Sequence, residues 1–199
     1  MNKTAAGTGL GFRRELLPEM QNSDLSGIDF FEIAPENWAS NGGRAAKQLR
    51  EFTERFPFVC HGLSLSIGSS DGLDVELLKR TKSFMASHGI GLYTEHLSWC
   101  SHDGHLYDLL PIPCTHEAVH WVADRIKRAQ DILGMRIGME NASYYCAPPG
   151  AEMQEQEFIS AIVREADCLL HLDVNNVYVN SRNFGFNPKD YMDGLPLDR

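Results

Sequence analysis

The chain has 199 residues, 43% of them hydrophobic, which is enough for one sizeable core and favours a single domain over residues 1–199. A formal charge of −9 leaves no net basic field for phosphate backbones, so nucleic acid is a poor partner. Its 5 cysteines are widely spaced and never form C-x-x-C, and no apolar run approaches the ~20 residues of a membrane span, so a soluble protein of the reducing cytoplasm is expected.

The N-terminal segment lacks a long apolar stretch before its arginines, so no export signal is expected. Glycine-rich "GTGLGF" opens the ordered pattern and "DFFEIA" (29–34) follows as a second strand, with Glu36 and Asn37 after it. Helical spacing of Ala45, Leu49, Phe52 and Phe56 leads to "FVCHGLSL" (58–65), a strand carrying His61. Leu77, Leu78, Phe84 and Met85 mark the next helix, with Asp74 as N-cap and Gly89 beyond its end. "IGLYTEH" (90–96) ends in Glu95 and His96 and runs into a loop containing His102 and His105. A helix from Thr115 to Leu133 stops at Gly134, and "MRIGMEN" (135–141) ends in Glu140 and Asn141. After the loop "APPGAEMQEQ" (147–156), a helix carries Phe158, Ile159, Ile162, Val163 and Ala166. "CLLHLDV" (168–174) is the sixth strand, with Asp173, Asn175 and Asn176 at its end.

Apolar strands alternating with helices imply an α/β fold with parallel strands and right-handed crossovers, either a doubly wound sheet or a (β/α) barrel. Both folds gather functional groups at the carboxyl ends of their strands. Glu36, His61, Glu95, His96, Glu140, Asp173, Asn175 and Asn176 all fall there, and imidazole, carboxylate and amide oxygen together suit zinc, manganese or iron. Each also has a plain structural reading. A strand histidine is commonly a hydrogen-bonded core residue, Glu140 suits a salt bridge to Arg13 or Arg14, and Asp173 with Asn176 suits an Asx-type turn. His171 shares strand parity with Asp173 one layer deeper, which favours a supporting role.

"HEAVH" (116–120) matches the zinc-binding pattern H-E-x-x-H. Val119, Val122, Ile126 and Leu133 define the buried face of that helix, and His120 lies roughly 140° from its centre, so the pair is expected to flank solvent.

"GLGFRRELL", "DFFEIAPENW", "HGLSLSIGS", "TEHLSW", "DLLPIP", "MENASYY" and "LLHLDVNNVYVNSRNFGFNP" together resemble the DUF692 (UPF0276) family, the multinuclear non-haem iron-dependent oxidative enzymes, nearly end to end. Its members include the methanobactin-biosynthesis iron enzyme and are (β/α)8 TIM barrels of the xylose-isomerase-like superfamily. The resemblance implies that His61, His96, Glu140, Asp173 and Asn176 are metal ligands, with Glu140 bridging and Asp173 and Asn176 serving different metals. It implies two or three iron ions and oxidation of cysteine in a ribosomally made precursor peptide, presented by a small leader-binding partner protein. The family barrel continues with two more strands where this chain stops at "DGLPLDR", so about six βα units are expected, with open edges that a second copy could cover. The alternatives are a sugar isomerase or epimerase, an endonuclease-like metal hydrolase, or an inactive metal-binding fragment on the same scaffold.

Overall fold

A computed structural model describes residues 5–199, apart from the side chains of His105 and Tyr107. The first four residues, on which part of the export reading falls, lie outside it. The chain divides into two compact units, Met1–Leu63 with Glu76–Thr94, and Ser64–Val75 with Glu95–Arg199.

In the first unit, β1 (Gly9–Gly11), β2 (Phe30–Ile33), β3 (Phe58–His61) and the start of β4 (Tyr93–His96) run parallel. Phe31 is in register with Leu10 and with Phe58, and Cys60 with Tyr93. The helices are α1 (Leu17–Asn22), α2 (Pro35–Trp38), α3 (Gly43–Thr53) and α4 (Val75–His88). Aromatic rings fill the space between strands and helices. Phe12 packs with its centroid 5.6 Å from Phe31, 5.2 Å from Trp38, 5.0 Å from Phe52 and 5.2 Å from Phe58, mostly edge-on or tilted, the arrangement the ring quadrupoles favour. The glycines of "GTGLGF" have a steric reason, since a Cβ on Gly9 would come within 2.4 Å of the Phe30 ring.

The second unit holds the end of β4, a hairpin of β5 (Trp99–Ser101) and β6 (His105–Leu110), α5 (His116–Leu133), β7 (Gly138–Glu140), α6 (Glu155–Ala166), β8 (Leu169–His171), α7 (Val174–Phe184) and α8 (Pro188–Asp193). β7 and β8 are parallel, with Glu140 in register with His171. Strand order in the main sheet is β1-β2-β3-β4-β7-β8, so six strands alternate with helices as expected and β1 and β8 are its ends. The free side of β8 is partly occupied, because the Leu170 N–H donates to the carbonyl of Arg199 at 3.4 Å.

Two elements differ from the sequence expectation. The segment after His96 is not all loop, since β5 and β6 pair antiparallel there and His105 begins a strand; its side chain lies outside the described residues. Strand β5 is only 3 residues long, too short to show an alternating pattern. The sixth strand ends at His171 rather than at residue 174, because Asp173 caps a helix that starts at Val174.

Helix α5 obeys its periodicity closely. Val122 and Ile126 are 0% exposed, Gly134 takes a left-handed φ of 78° at its end, and the Thr115 side chain accepts from the Ala118 N–H at 3.1 Å. Thr115→Ala is expected to lower unfolding free energy by about 1 kcal/mol, read from urea denaturation.

Candidate metal centre

Glu140 closes β7 with 4% of its surface exposed, where an uncompensated carboxylate is strongly disfavoured. The second unit surrounds it with partners. Its Oε2 lies 3.5 Å from His96 Nε2, and its Oε1 accepts from Asn176 Nδ2 at 3.2 Å. His171 reaches it from the next strand, with ligand atoms of the two residues within 4.8 Å of each other. In the first unit, Arg14 donates to the Asn37 carbonyl at 2.6 Å and lies over the Trp38 ring.

Glu95 fixes the ring of His96. It is 1% exposed; its Oε2 accepts from Leu65 N–H at 3.2 Å, and its Oε1 accepts from His96 N–H at 2.9 Å and lies 3.4 Å from His96 Nδ1. One imidazole nitrogen thus faces a carboxylate while the other faces Glu140, the usual arrangement of a metal-binding histidine and its supporting acid.

Asp173 does what its structural reading required, since its Oδ1 accepts from the Asn176 N–H at 2.8 Å and caps α7. Asn141 grips the Asp173 backbone from both sides, accepting from its N–H at 2.8 Å and donating to its carbonyl at 3.0 Å. Helix α7 is then stitched to the segment after β7 by asparagines at i, i+4 and i+7. Asn176 donates to the Asn141 carbonyl at 2.9 Å, Asn180 to the Ala142 carbonyl at 3.0 Å, and Asn183 to the Tyr144 carbonyl at 2.9 Å. The polarity of this segment therefore serves helix docking as well as the site. Asn175 points away and is exposed.

In the first unit, His61 ends β3 with Nδ1 2.7 Å from the Thr94 hydroxyl, and Glu36 Oε1 accepts from the Leu63 N–H at 2.8 Å. His171, given only a supporting role from its strand parity, faces Glu140 directly. Its register with Glu140 across β7 and β8 is the signal that was not legible from one strand alone.

The "HEAVH" residues behave as expected of a solvent face. His116 is exposed, and the His120 ring, 72% exposed, lies 2.9 Å from Glu165.

Residues 7–199 match the family described as RiPP precursor modification enzyme MbnB/TglH/ChrH. A UPF0276 protein of Nitrosospira multiformis is 60% identical over 194 residues, covering 98% of this chain and 69% of that protein. Among solved structures, a 3-keto-D-glucoside 4-epimerase from E. coli superposes with a TM-score of 0.59 at 15% identity, over 94% of this chain and 75% of that one. A xylose isomerase-like TIM barrel/4-hydroxyphenylpyruvate dioxygenase fusion protein gives 0.54 at 17% identity, over 82% of this chain and 26% of that one. At such identities the likeness is one of fold, and it selects the TIM barrel over the doubly wound sheet.

The grip on Asp173 has a measurable consequence. Asn141→Ala, at a position 2% exposed, removes both hydrogen bonds and is expected to destabilise the protein by about 2–3 kcal/mol, whereas exposed Asn175→Ala should stay within about 0.5 kcal/mol of wild type in the same denaturant titration.

Proposed function

The chain belongs to the MbnB/TglH/ChrH family of RiPP precursor modification enzymes, and from that premise we propose that it is a non-haem iron-dependent oxidative enzyme acting on cysteine in a ribosomally made peptide. The observation that carries the metal-dependent part is the convergence of His96, His171 and Asn176 on the buried carboxylate of Glu140. Two imidazoles, a carboxylate and an amide are hard-to-borderline donors that suit iron, with zinc or manganese as the other candidates. A bound iron would supply the redox chemistry, with dioxygen as oxidant, and a Lewis-acidic point for the substrate thiolate.

The chain's own residues have distinct parts in this reading. Glu140 would offer its negative charge to a bound cation, and Glu95 keeps the His96 ring turned so that Nε2 faces the Glu140 carboxylate. Asp173 spends Oδ1 on the helix cap and has Oδ2 for a cation. Asn176 presents its amide nitrogen to Glu140, so ligation through its oxygen requires the amide to turn over. A ligand role for His61 is proposed from the sequence resemblance.

The chain spans 69% of the length of its Nitrosospira relative, and the activity of the whole protein is proposed on that footing. A precursor peptide, a small leader-presenting partner protein and a second copy of the chain are the proposed partners, in the cytoplasm. Among the described residues no helix is long and apolar enough to cross a membrane. The acidic balance continues to disfavour a nuclease.

Iron content by elemental analysis of anaerobically purified protein tests the metal reading. Glu140→Ala and His96→Ala should each lose most of the iron, and Glu95→Gln should weaken iron binding by about 10–100-fold. Asp173→Ser keeps a side-chain oxygen for the helix cap but not a carboxylate, so it should lose iron while retaining stability. His116→Ala should change neither. Mass spectrometry of a cysteine-containing precursor peptide should show oxidation dependent on Fe(II) and dioxygen. Iron retained by Glu140→Ala, or lost on His116→Ala, would refute the assignment.

A further inference from the structure

The second unit contains a cavity of about 450 Å³ between the loop before α6, the end of α7 and the start of α8. Its lining includes Tyr144, Glu155, Phe184, Phe186, Asp190 and Tyr191. Glu155 interacts with the side chains of both Tyr191 and Tyr144. Rings flank it in pairs, with Tyr144 and Phe184 centroids 5.0 Å apart and Phe186 stacked on Tyr191 at 5.0 Å.

Glu155 is the first residue of α6, yet the helix does not need it as a cap. The capping box is made by Gln154 and Glu157, with the Gln154 N–H donating to Glu157 at 3.1 Å. Burial pushes the Glu155 carboxyl up from its ordinary value against two tyrosine hydrogen bonds that favour the charged form. Neither tyrosine brings a positive charge, so a cation would restore what burial removes from the charged carboxyl. Cys114, also in the lining, is pushed up to about 11 by burial and by Glu155, so it stays a thiol and offers no nucleophile. The lining contains two carboxylates and no lysine or arginine, and nearby Lys189 is held by Asp193 at 2.6 Å.

We infer that this cavity binds the basic side chain of a peptide, a lysine or arginine whose charged end meets Glu155 and whose stem lies along the aromatic walls. The volume falls within the usual range for small-ligand sites. Tyr144, Phe184, Phe186 and Tyr191 in the lining are aromatic rings of the kind that attract a cation and accept a methylene stem. A smaller cleft shares Glu155, Tyr144 and Cys114 with this cavity and is also lined by Asn141, which grips Asp173. The binding itself does not depend on metal chemistry, so it stands or falls separately from the iron assignment.

The test uses metal-free protein and NMR titration with three capped amino acids, the N-acetyl, N-methylamide forms of lysine, arginine and norleucine. Norleucine matches the lysine stem without its charge. Lysine or arginine should bind at least tenfold more tightly than norleucine, with shifts centred on Tyr144, Glu155 and Tyr191. In Glu155→Gln, which retains both shape and an acceptor for the tyrosines, that preference should vanish while the spectrum stays folded. n-Butylammonium separates the sources of a cation: binding as tight as the lysine derivative would overturn the peptide assignment in favour of a free amine. Equal affinity for norleucine in the wild type, a comparison that needs no variant, would overturn the cation site itself. So would a preference that survives Glu155→Gln.

Discussion

A carboxylate placed at the end of a buried strand must be compensated, and Glu140 is that carboxylate here. At 4% exposure, the loss of hydration amounts to several kcal/mol unless donors or cations replace it. Three features of the second unit are explained by that requirement. The His96 ring is turned by Glu95 so that one nitrogen faces the carboxylate. Asn176 sits one turn into α7, where its amide reaches Glu140, and His171 occupies the register position across from it on β8. None of these groups carries a fixed positive charge.

Precision at such a site depends on what holds α7 in place. The helix is not anchored by apolar contacts alone; Asn176, Asn180 and Asn183 bond successive carbonyls of the segment after β7, and Asn180 Oδ1 also accepts from the Tyr144 N–H at 3.0 Å. Asn141 completes the seam by holding both backbone groups of Asp173. Backbone groups of a loop that would otherwise need water are thus satisfied by side chains from one helix face. The same loop carries Tyr144, so one polar seam positions both the Glu140 site and the inner wall of the aromatic cavity.

Much of this was legible in the sequence. Six apolar runs separated by helical periodicity gave the parallel strands, and the exposed face of α5 disposed of "HEAVH" through the burial of Val122 and Ile126. The placement of His96 and Glu140 as the last residues of their strands followed from the same pattern. What stayed hidden depended on partners distant in sequence. "HLDVNNVYVN" begins as a strand, but the Asp173 cap turns it into a helix, and valines that suit either element mask the change. The i, i+4, i+7 asparagines were the available signal of that helix. The role of His171 required the β7–β8 register, and Glu155 carried no mark in the sequence because its significance lies in two tyrosines from other segments.

The proposal puts iron on Glu140 and His96. Anomalous X-ray scattering at the iron edge, from crystals of anaerobically iron-loaded protein, tests it most directly. A peak within coordination distance of both the Glu140 carboxylate and His96 Nε2 is expected. A fully loaded crystal with no peak there, or with its iron at His116 and His120, would contradict it.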